Sequence, residues 1–320
     1  MLRNISAVDN LTIYPDYLYR RIIDLLIIKS MVKNWKSVLL FRLGIKSKVV
    51  LNFRDGYRIK INSMQEYNRF WDSKRGQYYI AKHHGYNNKI QLKRKIVEFD
   101  FNKNIVKFFY SDKNALRNIF GTIKENFIDE QFKDLNVSGY TVVDVGANVC
   151  DSAIYFALKG ARHVYAFEPY PYSYNLAKKN IRLNNLKDRV TLLNEGCGKD
   201  GFITIDPSFK NTAGSRLIQF KDGKSVKVTS LNSIVNRYKI KNSILKIDCE
   251  GCEYELVLNA TVDALRRFDR IMIEYHYGYK NLEKKLLEAK FNVKHTKPKL
   301  FKDASREVRL LGMIYASKNI

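Results

Sequence analysis

The sequence predicts an α/β protein with a mostly parallel sheet and helices on both faces, preceded by a smaller region of helix and antiparallel β-structure. Three observations carry this expectation. From Gly139 onward, short apolar runs of strand length alternate with segments of helical period, and that alternation builds a parallel sheet. Acidic residues close four of those runs, at the carboxyl ends where open α/β sheets hold their ligands. Before Gly139 the β-like runs come in pairs around Asp55-Gly56 and around Asn102-Lys103-Asn104, as in hairpins rather than crossovers.

Residues 10–43 carry a helical pattern. Ile22, Ile23, Leu26, Met31, Trp35 and Leu39 fall near one face, with lysines elsewhere. The helix over residues 17–41 is expected to cover its own domain; peripheral contact with an anionic membrane is the alternative. KVVLNFRDGYRIKI and QLKRKIVEFDFNKNIVKFFYS then read as antiparallel strands. No catalytic constellation stands out in this part, which is assigned to residues 1–136. In residues 137–320, strands are expected at 141–145, 163–167, 190–194, 244–247 and 270–274, with two more near 291–296 and 310–316. Helices are expected at 152–159, 173–183, 250–258 and 282–289.

At 320 residues and 45% apolar composition, the chain suits one large core or two smaller ones. No apolar run approaches the roughly 18 residues that a spanning helix needs. MLRNISAVDN lacks the continuous apolar stretch of a secretory signal, so a cytoplasmic location is the expectation. The net charge of +25 suits acidic partners such as RNA, phosphorylated lipids or anionic glycans. Its even spread on either side of Gly139 speaks against an RNA-binding tail, which would concentrate charge. The four cysteines, Cys150, Cys197, Cys249 and Cys252, do not form the framework of a secreted disulfide scaffold. Cys249 and Cys252 make a C-x-x-C pair that is expected to be structural rather than a zinc site.

The strand ends point to the ligand. The first strand ends in Asp144, the second in Glu168, the fourth in Asp248-Cys249-Glu250-Gly251, and the fifth in Glu274-Tyr275-His276. Glu168 is placed to accept hydrogen bonds from two ribose hydroxyls, as in dinucleotide folds. A dinucleotide also wants three glycines for close approach to its pyrophosphate, yet the turn here reads G-A-N-V-C-D. That suits a cofactor with a ribose, no phosphates and a cation near Asp144, and S-adenosylmethionine answers this description.

VVDVGANVCDSAIYFALKGARHVYAFEPYPYSYNLAKKNIRLNN resembles the opening of the FkbM-type methyltransferases, and ILKIDCEGCEYELVL resembles their lysine-x-aspartate-x-glutamate-glycine segment. LLNEGCGKDGFITID, VKVTSLNSIV and IMIEYH follow the family's order. The resemblance implies a class I methyltransferase fold, Rossmann-like, with a mostly parallel seven-stranded sheet. It also implies S-adenosyl-L-methionine as cofactor and methyl transfer to a hydroxyl. Gly146 and Asn148 would line the methionine end, Asp144 would support that turn, Glu168 would take the ribose, and Glu195 is the candidate nearest the adenine. Cys150 stands where the family usually has glycine; a side chain there could narrow the pocket near the methionine end, and cysteine, being small, is expected to be tolerated.

Methyl transfer asks for in-line positioning and removal of the acceptor's proton. Asp248, Glu250 and His276 are the catalytic candidates, with Asp248 nearest the methyl and Glu250 or His276 taking the proton. Lys246 is expected to pair with an acid. The same three candidates could hold a divalent metal, although nothing in their spacing demands one. The favoured function is O-methylation of a hydroxyl on a glycan, lipid-linked sugar or small molecule. An RNA methyltransferase and a nonenzymatic module that binds the cofactor are the alternatives.

Overall fold

The computed structural model describes residues 28–71, 73, 79, 91–93, 95–111, 113–206, 223–302 and 308–318. Its centre is a sheet whose two middle strands are buried along their whole length. The strands are β6 (Thr141–Val145), β7 (His163–Phe167), β8 (Val190–Leu193), β12 (Ser243–Ile247), β13 (Phe268–Tyr275), β14 (Phe291–His295) and β16 (Val308–Lys318), in the order β14-β16-β13-β12-β6-β7-β8. The five strands from β13 to β8 are parallel, and β16 runs antiparallel to both β13 and β14. This is the expected mostly parallel sheet of seven strands. A short β15 (Lys299–Lys302) also pairs with β16.

Helices α4 (Asp151–Leu158), α5 (Pro171–Leu183), α7 (Cys252–Leu258), α8 (Val262–Leu265) and α9 (Lys280–Glu288) connect these strands. Two apolar clusters cover the two faces of the sheet. Val142, Ile244 and Met272 face one cluster; Val143, Val145, Leu245, Ile247 and Ile273 face the other. Strands buried on both faces read as continuous apolar runs, which is why their sequence positions were legible. Between β8 and β12 the chain adds a small sheet of β9 (Gly196–Cys197), β10 (Gly201–Ile205) and β11 (Lys224–Thr229), then α6 (Leu231–Arg237), which the sequence reading did not assign.

Ahead of the central sheet lie α1 (Trp35–Arg42), a hairpin of β1 (Val49–Asn52) and β2 (Arg58–Ile61), α2 (Met64–Trp71), and a sheet of β3 (Gln91–Lys93), β4 (Ile96–Phe101) and β5 (Asn104–Phe109). Both expected hairpin turns are present. The expected helix over residues 10–43 is interrupted: Val32 leaves the helix to pair with Phe53 of the hairpin, and α1 starts afresh at Trp35. Ile22, Ile23 and Leu26 lie outside the described residues. Ile28, Met31, Val32, Val38 and Phe41 pack with Leu51, Phe53 and Ile61 in one cluster, so the described part of this segment covers the hairpin. Among the described residues no helix is long and apolar enough to cross a membrane.

The β3–β5 sheet shares its core with the central sheet. Val97, Phe99, Val106 and Phe108 lie in the same cluster as Val142 and Ile154. Its edge strand β5 is closed by two asparagines of α5. Asn184 Oδ1 accepts from the Lys107 amide at 2.9 Å and Asn180 Oδ1 from the Phe109 amide at 2.8 Å. Asn180 Nδ2 also donates to the carbonyl of Val149 at 3.0 Å, so one buried side chain ties the edge strand to the turn after β6. From β5 the chain runs through α3 (Lys113–Ile123) into a π-helical turn over residues 124–128. That geometry is uncommon and concentrates at functional sites.

Candidate active site

A cavity of about 340 Å³ opens at the carboxyl ends of β6, β7, β12 and β13, a volume at the small end of ligand pockets. Its floor is the turn after β6. Gly146 takes φ +79°, and a Cβ there would stand 1.8 Å from the carbonyl oxygen of Asp248. Only glycine lets the two strand ends close on each other here. The amides of Gly146 and Ala147 both donate to the carbonyl of Phe167, at 3.1 and 3.0 Å, which fixes the turn against β7. Asn148 takes φ +45°, and its amide donates to Glu168 Oε2 at 2.9 Å.

Glu168 lies buried beneath this turn. Its second oxygen accepts from the amide of Tyr170 at 2.9 Å. Burial pushes its carboxyl up to about 8, although the two backbone donors and Lys246 favour the charged form. Asp144 is fully buried and does not line the cavity. It accepts from Ser152 Oγ at 2.6 Å and pairs with Lys246 Nζ at 3.1 Å, and Lys246 donates on to the carbonyl of Gly146 at 3.3 Å. Asp144 and Lys246 therefore brace the turn from behind, and Lys246 pairs with an acid as the sequence reading expected. Glu195 reaches the cavity from the end of β8, held by Thr229 and by Arg237 Nη1 at 2.8 Å. Its carboxyl lies below the ordinary glutamate value; burial opposes this, and the hydrogen bonds to Thr229 and Arg237 overcome it.

Cys150 does not narrow the cavity. Its side chain is fully buried in the apolar cluster beneath α4 and does not line the cavity. The residue takes φ +63° to start that helix, and the backbone turns the thiol into the core instead of narrowing the methionine end. Cys249 and Cys252 are joined as a disulfide across the β12–α7 loop, so they present no thiolates to a zinc ion. Both also line the cavity.

The catalytic candidates separate into two groups. Asp248 and Glu250 line the cavity, and His276 does not. The imidazole is 3% exposed, with Nδ1 3.0 Å from Glu253 Oε1 and Nε2 3.2 Å from Glu250 Oε2. Burial alone would lower its pKa, but hydrogen bonds and charge from the two glutamates raise it to about 11. An imidazolium with both N–H groups committed cannot take a proton, which corrects the expectation that His276 serves as base. Glu250 also pairs with Arg309 Nη1 at 2.9 Å, and His276 with Arg309 hold its carboxyl below the ordinary value against burial. One atom each of Asp248, Glu250 and His276 lie within 4.8 Å of one another. In this network the positive charges that face Glu250 come from His276 and Arg309, so the donor set does not fit a metal ion.

Sequence reasoning missed the wall opposite β12. The π-helical turn brings Glu125 and Asn126 to the cavity, where Asn126 donates to Asp151 and accepts from Gln131. Asp151 is buried, and burial raises its carboxyl to about 7. Glu274 lines the cavity from the end of β13; the sequence showed it as an acid at a strand end but gave it no role. Nothing local in GTIKENFIDE marks a site, because its place depends on packing against α4.

A family model described as Methyltransferase FkbM domain matches residues 144–296. Among solved structures, the chain is similar to M. capricolum TrmK in complex with S-adenosyl-homocysteine. The identity is 14% and the TM-score 0.40, over 59% of this chain and 67% of that one. It is also similar to Methanocaldococcus jannaschii Trm5 in complex with adenosine, at 15% identity and a TM-score of 0.38, over 72% of this chain and 58% of that one. No curated protein matches the sequence.

Proposed function

We propose, from the match of residues 144–296 to the methyltransferase FkbM domain model, that the chain is an S-adenosylmethionine-dependent O-methyltransferase whose acceptor is an uncharged hydroxyl compound. The acceptor classes are a glycan, a lipid-linked sugar or a small molecule.

One observation carries the choice of acceptor. Among the described residues, the cavity is lined by Glu125, Asp151, Glu168, Glu195, Asp248, Glu250 and Glu274, and by Lys246 as the one lysine or arginine. A chain with a net charge of +25 thus keeps an acidic pocket. Glu195 and Glu250 hold their carboxyls below the ordinary value, and in a partly desolvated site like charges repel strongly, so this lining disfavours a phosphate beside the reacting atom. It favours a cationic cofactor.

The residues present fit S-adenosylmethionine. Glu168 would accept from the ribose hydroxyls, and the turn of Gly146 and Asn148 would line the methionine end, with Asp144 and Lys246 bracing it. Glu195 would stand at the adenine end. When bound, the cofactor supplies a methyl group made electrophilic by its sulfonium. Asp248, which lines the cavity, would stand nearest the methyl, where its charge would favour the sulfonium. The walls from β6, β12 and the π-helical turn position the two reactants and exclude water. Most of the acceleration would come from that positioning, with deprotonation of the acceptor adding the rest.

The test follows labelled methyl from S-adenosylmethionine into neutral-glycan, lipid and RNA fractions of a cell extract. Label is expected in the neutral-glycan or lipid fraction. Label mainly in RNA would keep the cofactor and replace the acceptor.

A further inference from the structure

We propose that Glu274 is the general base that takes the proton of the acceptor hydroxyl. The inference rests on the methyltransferase reading above and names a residue of that same site. As the acceptor oxygen bonds to the methyl carbon, the methyl–sulfur bond breaks and its electron pair stays on sulfur. The hydroxyl proton passes to a Glu274 carboxylate oxygen and leaves later to solvent.

Register places Glu274 at the acceptor end. Ile273 of β13 pairs with Ile247 of β12, so Glu274 stands level with Asp248 at the mouth of the sheet. Lys246 pairs with Met272, and residues two apart on a strand share a face. Glu274 is therefore on the sheet face of Met272 and Lys246, and Lys246 lines the same cavity. The Glu274 carboxylate lines that cavity.

The other candidates are committed. His276 holds its proton between Glu250 and Glu253, and Glu250 is held ionised by His276 and Arg309. Asp248 lies 3.9 Å from Lys246, whose cation, with that of His276, favours the charged form although burial raises its carboxyl. Glu274 stands beside that carboxylate, which repels its charge. The charge of Asp248, then burial, then Glu250 raise its proton affinity, and His276 and Lys246 oppose them. Tyr315 of β16, Glu125 of the π-helical turn and Glu253 of α7 are the further titratable groups around the Asp248–Glu274 pair among the described residues. A carboxyl so raised is a stronger base than an ordinary glutamate and still ionises near neutral pH. A strand also holds it more rigidly than the loop would hold Glu250.

Glu274→Gln keeps the size of the side chain and removes the base. It should bind S-adenosylhomocysteine as wild type does in calorimetry. It should lose roughly 10²–10⁴-fold in methyl transfer to the neutral-glycan fraction, the usual scale of general-base loss, whereas Glu125→Gln should lose far less. A second readout needs no acceptor. In carbon-13 carboxyl NMR, the Glu274 resonance, assigned by its loss in Glu274→Gln, should titrate above the ordinary glutamate value of about 4.3 and move down in Asp248→Asn. Undiminished transfer by Glu274→Gln, or titration of Glu274 in the ordinary range, would overturn the proposal. Failure of wild type to bind S-adenosylhomocysteine would sink the methyltransferase reading instead, so the two failures are told apart.

Discussion

Glu168 shows how one residue joins fold and ligand. Its two oxygens order the turn after β6 through the amides of Asn148 and Tyr170, and burial raises its carboxyl to about 8. The carboxylate accepts from ribose hydroxyls better than the acid does, so protonation opposes binding. S-adenosylhomocysteine affinity should therefore fall as pH drops below about 8 and level off above it. Glu168→Gln should flatten that dependence. Glu168→Ala should weaken binding by about 1–3 kcal/mol, the cost of leaving polar partners unmet. Equal wild-type affinity at acid and alkaline pH would show that Glu168 does not hold the ribose. The sequence was legible here because an acid at the end of the second strand is a local signal. It was not legible for His276, whose partners Glu250 and Glu253 lie on another loop and helix, nor for Arg309, 59 positions from Glu250. Those ion pairs exist only once β13, β16 and α7 have packed.

At the scale of elements, each strand of the central sheet lay within a few residues of its expected place, since buried parallel strands are continuous apolar runs. The helix expected over residues 250–258 starts later, at Cys252. Before it, Glu250 and Gly251 take φ +58° and +120°, an irregular turn that places Asp248 and Glu250 against the cavity. The Cys249–Cys252 disulfide spans this turn. Sequence marked the pair only as C-x-x-C, because bonding depends on how the loop folds. Closing a loop this short is worth about 2 kcal/mol in the chain-entropy view. Cys249→Ser/Cys252→Ser should keep the fold but loosen the turn, lowering the midpoint of denaturation and weakening S-adenosylhomocysteine binding. Treatment of wild type with a dithiol reductant should do the same. Binding unaffected by either change would show that the β12–α7 turn holds its shape without the bridge. The π-helical turn was illegible for a different reason. Its helical period continues that of α3, and only contact with α4 determines where Glu125 and Asn126 point.

The whole molecule sets a basic exterior around an acidic cleft. The net charge of +25, taken by itself, suits an anionic partner, and composition alone could not reveal that the acids converge. The topology does it. With β6 between β7 and β12, the turns after these strands fan to opposite sides, and a crevice opens where they part. The acids at the strand ends of the sequence all fall in or directly beneath this crevice, and the β3–β5 sheet with α3 and the π-helical turn supplies its remaining wall. Calorimetry on the purified chain, titrating S-adenosylhomocysteine and NAD in parallel, tests the identity of this crevice most directly. Saturable one-to-one binding of S-adenosylhomocysteine, with no measurable binding of NAD, is the predicted result. Tight binding of NAD with none of S-adenosylhomocysteine would contradict the assignment of the crevice as a methyl-donor site.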